Sequence, residues 1–321
     1  MTTATRVRPA DAAGVADAVA RLVRGEVVAL PTETVYGLAA DACQAAAVAR
    51  IFAAKGRPPD NPLIVHVADM AMARGLARWS PEAARLAQAF WPGPLTLVLP
   101  RAAGAPLVPA VTAGLPTVAL RAPDHPVTQA VIQELGRAIA APSANRSGRL
   151  SPTRAQHVDL PGVPLVLDGG PCRLGLESTI VRPEADRLVL LRPGALPPEA
   201  LAKVSGLPVV PAGPAARAEA PGMHHRHYAP TLPLDLDVTE PAPGRFWIGF
   251  GALAGDFNLS PRGDPEEAAR HLFDALHAAE RSGARRIGVA PIPAEGLGLA
   301  IRDRLRRAAA AAAWRSSDRS P

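Results

Sequence analysis

Residues 30–42 read LPTETVYGLAADA, and the fold is decided by how they are taken. The residues just before, EVVAL, have the composition of a buried strand; Thr32, Glu33, Thr34 and Tyr36 then stand where the apolar run should continue. Ligands of open α/β sheets bind beyond the carboxyl ends of the strands, so a polar strand end is a binding edge, with a plain turn as the alternative.

Comparable runs recur along the chain. LIVHV, LTLVLP, TVALR, AIAAP, PLVLDGG, STIVRP and RLVLLRP read as strands, and alanine-rich segments over 45–54, 81–90 and 126–135 read as helices. Several strands follow one another with no helix between them, which predicts an α/β domain with a twisted mixed sheet and flanking helices. Ser80 ahead of Pro81 and Glu82, and Asp124 near Pro126, are helix-start signals. After residue 201, GLPVVPAGPAARAEAPG reads as an extended Pro/Gly-rich linker without regular structure. Beyond it, RFWIGFG, a helix over 265–281, RRIGVAPIP and a helix over 299–313 make a second, smaller α/β unit. The chain thus divides into a first domain over 1–205, a linker over 206–230 and a carboxyl-terminal domain over 231–321.

Composition bounds the function. Over 321 residues, 48% hydrophobic and 20% charged describe a soluble globular protein, and a net charge of +6 suits a nucleotide or RNA partner. Cys43 and Cys172 have no metal or redox spacing, which argues against a disulfide scaffold, and no apolar leader or membrane span is evident, so the expected location is the cytoplasm. Of the 35 basic residues only Lys55 and Lys203 are lysine, so a lysine marks a place where arginine would not serve.

No P-loop, H-E-x-x-H or G-x-S-x-G pattern is present, and GFGALAG at Gly249 follows a strand without opening a helix. KGRPPDNPLIVHV places Lys55, Arg57 and Asn61 in a proline-stiffened loop; two cations so placed are a phosphate clamp or a solvated helix end. APSANRSGRLSPT delivers Ser143 and Asn145 from a strand, then Ser151 and Thr153, an anion-accepting surface or an ordinary loop. Arg121 and Arg192 each close an apolar strand, Thr117 opens one, and Glu177, Ser178 and Thr179 precede another. In PGMHHRHYAP, His224, His225 and His227 raise a metal site, but their spacing does not support one, and no residue is assigned to a protein-held metal. Tyr228 in that motif and Tyr36 are the two tyrosines.

Taken in order, PTETVYGL, KGRPPDNPLIVHV, FWPGPLTLVL, TVALRAPDHP, APSANRSGRLSPT, DGGP, ESTIV and LRPG resemble the threonylcarbamoyl-AMP synthase family with its YrdC-like fold, over residues 12 to 200. PGMHHRHYAP resembles the linker motif of the two-domain members, and NLSPRGDPEEAARHLFDAL with GLGLAIRDRLRRAA their carboxyl-terminal domain; Ala220 departs from the serine usual before PGM. The resemblance implies synthesis of L-threonylcarbamoyl-AMP and pyrophosphate from L-threonine, bicarbonate or CO2, and ATP, with Mg2+ arriving on ATP. It implies that the product goes to a threonylcarbamoyl transferase acting on tRNA, with direct tRNA binding not required. By resemblance Thr34, His66, Arg121, Ser143 and Ser178 hold L-threonine, and Lys55, Arg57, Asn61, Thr117, Asn145, Ser151, Thr153, Arg192 and Tyr228 hold ATP. Lys55, Arg57, Ser143 and Asn145 form the catalytic Lys-x-Arg and Ser-x-Asn pairs.

The linker is expected to close over this site as a lid contacting it through Tyr228, so that a chain ending near residue 205 would still fold and bind ATP. An RNA-binding module, or a carbamoyl-adenylate enzyme for another substrate, are the alternatives; few aromatic residues, 4%, are available for stacking bases.

Overall fold

The computed structural model describes residues 5–213 and 228–317. The first domain runs β1 (Arg6–Pro9), α1 (Ala12–Val23), β2 (Val28–Leu30), β3 (Gly37–Asp41), α2 (Ala45–Lys55), β4 (Ile64–His66), α3 (Met70–Arg74), α4 (Pro81–Phe90), β5 (Leu95–Pro100), α5 (Pro109–Thr112), β6 (Thr117–Arg121), α6 (Pro126–Leu135), β7 (Ile139–Ala140), β8 (Leu165–Asp168), β9 (Thr179–Pro183), β10 (Leu188–Arg192), α7 (Pro198–Ser205) and β11 (Val209–Pro211). Its sheet has eleven strands in the order β1-β8-β2-β3-β7-β4-β6-β5-β9-β10-β11. Pairing is mixed: β4 with β6 and β5 with β9 are parallel, while β2–β3, β3–β7, β4–β7, β5–β6 and β9–β10 are antiparallel.

The second domain runs β12 (Leu234–Asp235), β13 (Arg245–Gly249), β14 (Phe257–Asn258), α8 (Pro265–Arg281), β15 (Arg286–Val289) and α9 (Leu297–Ser317). Its four strands, in the order β12-β15-β13-β14, are all parallel. Among the described residues no helix is long and apolar enough to cross a membrane.

Helix α4 begins where its start signal placed it. Ser80 accepts from Ala83 N and Pro81 opens α4; Asp264 accepts from Glu266 N and Pro265 opens α8. Asp124 is not a cap. His125 holds that position in α6 without a side-chain bond, while the Asp124 carboxylate pairs with Arg173 at 2.7 Å. The linker reading also needs correction at its start: Val209–Pro211 hydrogen-bonds in parallel register to β10, because a short run of β-branched residues can add to a free sheet edge, where proline is tolerated. The large sheet therefore extends past residue 205. Residues 214–227, which include His224, His225 and His227 and most of the expected lid, lie outside the described residues.

The two domains share a core. Val35, Leu150, Leu176 and Tyr228 pack in one buried cluster with Leu272, Phe273 and Leu276 of α8 and Leu305 of α9. Around it, Arg154 forks onto the Asp274 carboxylate at 2.9 and 2.8 Å, Thr153 Oγ1 donates to Asp274 at 2.7 Å, and the His157 and His277 rings stack 3.9 Å apart. Gly175, at φ 71°, lets α8 approach so closely that a Cβ there would stand 2.5 Å from Arg270 Cα. A chain ending near residue 205 would lose β11 and lay this apolar surface open.

Candidate active site

Between β2 and β3 the PTET segment folds on Thr32. Its hydroxyl accepts from Thr34 N at 3.1 Å and Val35 N at 3.2 Å, a local turn that aims Thr34 over the sheet. The polar strand end is thus a turn that puts Thr34 on the wall of a cavity. Tyr36 points the other way, donating to the Gly170 carbonyl at 2.7 Å.

Over the middle of the large sheet lies a cavity of about 490 Å3. Neighbouring strands furnish its wall in turn: Gly37 from β3, Ser143 after β7, His66 at the end of β4, Arg121 at the end of β6, Ser178 before β9 and Arg192 at the end of β10. His66 and Arg121 are register partners, so their side chains rise side by side. An irregularity between Leu190 and Arg192 re-aims the arginine, whose guanidinium donates to the Ser178 carbonyl at 2.9 Å and hydroxyl at 3.1 Å.

All five residues assigned to threonine, Thr34, His66, Arg121, Ser143 and Ser178, line this one cavity. Arg57, Arg192 and Tyr228 of the ATP set line it as well. The others do not. Helix α2 stops at Gly56 in the left-handed conformation, leaving Lys55 in the last turn and Arg57 just beyond. Lys55 is buried, and its ammonium donates to the carbonyls of Ser143 and Asn145, both at 2.5 Å. It fastens the Ser143–Asn145 loop. Arg57 donates to Asn61 Oδ1 at 2.6 Å and to the Pro62 carbonyl at 2.7 Å, which fixes Asn61 beside it. Asn145 Nδ2 ties down Arg149 O at 2.8 Å, leaving Oδ1 buried with no hydrogen-bond partner among the described residues. Thr117 opens β6, four residues before Arg121 and toward the loop that carries Asn61. Ser151 donates to Glu177 at 2.5 Å, and Thr153 is committed to Asp274.

Electrostatics follow from burial. Burial pushes Lys55 well below its ordinary value, with Arg57 adding to the effect, and pushes Arg57 down to about 10, with Arg192 adding. His66 is held neutral by burial and by Arg121. Two carboxylates balance the cations. Glu33 Oε1 stands 2.7 Å from Arg121 Nη2, and Glu177 meets Arg304 Nε at 2.7 Å. Burial alone would raise the Glu177 pKa; Arg304 and Arg192 bring it below the usual carboxylate range.

Arg304 was not legible as a site residue. It projects from α9 of the second domain, is fully buried, and lies 5.0 Å from the centroid of the Tyr228 ring. Glu33 and Glu177 were visible within PTETVYGL and ESTIV but carried no assignment; the signal was a carboxylate beside each cation-bearing strand end.

No group of three or more His, Cys, Asp and Glu among the described residues could hold a metal ion, and Glu33 and Glu177 are engaged with arginines.

A family model described as "Telomere recombination" (Sua5_yciO_yrdC) matches residues 20–194, and one described as "Threonylcarbamoyl-AMP synthase, C-terminal domain" matches 196–310. Threonylcarbamoyl-AMP synthase of Bacillus subtilis is 44% identical over 92% of this chain and 92% of its own, and that of Pyrococcus abyssi 44% over 88% and 90%. The crystal structure of P. abyssi Sua5 complexed with L-threonine superposes with a TM-score of 0.85 at 39% identity, covering 96% of this chain and 97% of that one. With both domain models matched in order and relatives this close along nearly the whole length, the chain belongs to the two-domain threonylcarbamoyl-AMP synthase family.

Proposed function

We propose that the protein condenses L-threonine, bicarbonate or CO2, and ATP into L-threonylcarbamoyl-AMP and pyrophosphate. The observation that carries this reading is the convergence of Thr34, His66, Arg121, Ser143 and Ser178 with Arg57 and Arg192 on one cavity. Arg121 presents a fork suited to the threonine carboxylate, and Thr34, Ser143 and Ser178 offer hydroxyls to the rest of the amino acid. A cavity ringed by cations lowers the pKa of the threonine ammonium, so the free amine can add to the carbon of CO2 with loss of a proton, or to that of bicarbonate with loss of water. An oxygen of the carbamate so formed attacks the α-phosphorus of ATP, and pyrophosphate leaves.

The charge spreading over the phosphates needs donors already in place. Arg57 and Arg192 are held by carbonyls and hydroxyls of the protein before any ligand arrives. Asn61, Thr117, Asn145, Ser151, Thr153 and Tyr228 complete the nucleotide side in this reading. Lys55 serves it from behind, through the loop it fastens. Magnesium in this reading travels as part of the MgATP substrate, its charge offset by the phosphates it bridges.

The product is a mixed anhydride that water destroys, so it passes to a threonylcarbamoyl transferase that modifies tRNA; direct tRNA contact is not required. The reaction belongs in the cytoplasm, with ATP and tRNA. Incubation with MgATP, labelled bicarbonate and each amino acid in turn tests the reading: pyrophosphate and a labelled adenylate form with L-threonine well above the others. Equal turnover with another amino acid would instead make it a carbamoyl-adenylate enzyme for that substrate, and no turnover with salt-sensitive RNA binding would make it an RNA-binding module.

A further inference from the structure

Arg304 is the second domain's one fully buried cation among the described residues, and it is spent on the first domain's site. Its Nε donates to Glu177 Oε2 at 2.7 Å, its Nη1 to Asp303 at 2.7 Å, and its Cζ lies over the Tyr228 ring. Glu177 and Tyr228 line the cavity, whereas Asp303 and Arg304 do not. Glu177 in turn takes the hydroxyl of Ser151 on its other oxygen at 2.5 Å and precedes Ser178, the anchor of Arg192.

We propose that Arg304 is a positioning residue through which the second domain completes the active site, keeping Glu177 ionised and Tyr228 in place on the cavity wall. This rests on the synthase reading above. An ion buried from water is tolerated only with a partner, and taking one partner away strands the other. Glu177 is faced by Arg304 from α9, Arg192 from β10, Ser151 from the loop ahead of it and Tyr228 from the end of the linker, with Asp303 next to Arg304 as the one further acid. Without Arg304, Arg192 alone would face a carboxylate that burial drives toward protonation. Protonated Glu177 no longer balances Arg192, and Ser151 can turn away from it. The second domain therefore acts as part of the catalytic unit.

The test is pyrophosphate release by the full-length protein as a function of pH, threonine and ATP. Wild type reports on the reaction itself, and the ratio of variant to wild type reports on Arg304; the rise in melting temperature on adding L-threonine gives a readout that needs no turnover. Arg304→Met is expected to lower kcat/KM at pH 7 by about tenfold or more, with activity recovering as pH rises because Glu177 then ionises. Adding Glu177→Gln to Arg304→Met should abolish that recovery limb, and Arg304→Lys should fall between wild type and Arg304→Met. A folded Arg304→Met with wild-type kinetics, or with the same defect at every pH whether or not Glu177 is changed, overturns the proposal. Should Arg304→Met fail to fold, Arg304→Lys decides: a lowered kcat or a weakened threonine-dependent shift supports the role, and wild-type values in both mark Arg304 as packing alone.

Discussion

Arg121 reaches Glu33 across 2.7 Å at the floor of the cavity, with both side chains almost shut off from solvent. If Arg121 receives the threonine carboxylate, as proposed, it does so while already paired with a carboxylate of the protein. Arg121→Ala removes the receptor and also strands Glu33, which costs about 3–5 kcal/mol of stability for a buried pair broken on one side. The variant should melt earlier and need far more threonine, with a smaller change for ATP. Adding Glu33→Gln should restore much of the melting temperature without restoring threonine affinity. Steady-state kinetics beside thermal unfolding separate the two effects, and equal losses for threonine and ATP would refute the assignment of Arg121.

Lys55 poses a question of shape. Two carbonyls converge on its ammonium from one loop, and the site is sealed. An arginine keeps the charge but brings a wide planar head, so the Ser143–Asn145 loop must move. Lys55→Arg is expected to lose at least about tenfold in turnover, equivalent to about 1.4 kcal/mol on the barrier. Full pyrophosphate release by that variant would show that the loop does not depend on a compact ammonium.

Docking of the second domain can be loosened at a single atom. In Gly175→Ala the new Cβ would meet the backbone of α8 at 2.5 Å while the residue keeps a left-handed φ of 71°. Gly206→Ala is the matched control, because Gly206 has φ 75° and nothing within 4 Å of a Cβ. Both changes incur backbone strain of about 1–2 kcal/mol, but only the first forces the interface apart. Turnover should drop in Gly175→Ala and hold in Gly206→Ala.

Acid should undo the same interface. Burial, with His277 beside it, pushes the His157 pKa from 6.5 down to about 3, and burial lowers His277 too. Because these rings bind protons more readily when exposed, the stability they lend is whole above pH 6.5 and declines as pH falls from there toward 3. Melting temperature followed from pH 8 to pH 5 should fall less steeply in His157→Gln than in wild type; parallel curves would exclude this origin.

Helix α4 was legible at its start because its cap is local chemistry. Ser80 with Pro81 marks where backbone donors need a partner, whereas Asp124 misled because its carboxylate pairs with Arg173 and His125 holds the cap position. Strand β3 was not, since GLAAD has little of the β-branched character by which strands are found, and it owes its place to Gly37 and Ala39–Ala40 fitting between neighbours. Helix α1 went unread behind its alanines, although Asp11 caps it by accepting from Gly14 N. Within the site, strand-end residues could be found because each closes its own run. Arg304 could not, as Arg302, Arg304, Arg306 and Arg307 stand together on α9 and only packing selects the one that is buried.

The shared core has a consequence for synthesis of the chain. Val35, Leu150 and Leu176 are made early, and from Leu176, the last of them, about 100 residues separate the patch from α8 and α9 that cover it, so at ribosomal speeds of about 5–20 residues per second the completed patch waits roughly 5–20 s. Throughout that interval the nascent first domain carries an adhesive face at the mouth of its own cavity. Stalled chains released before α8 emerges should be recovered with chaperones or in aggregates, and chains released after α9 should not.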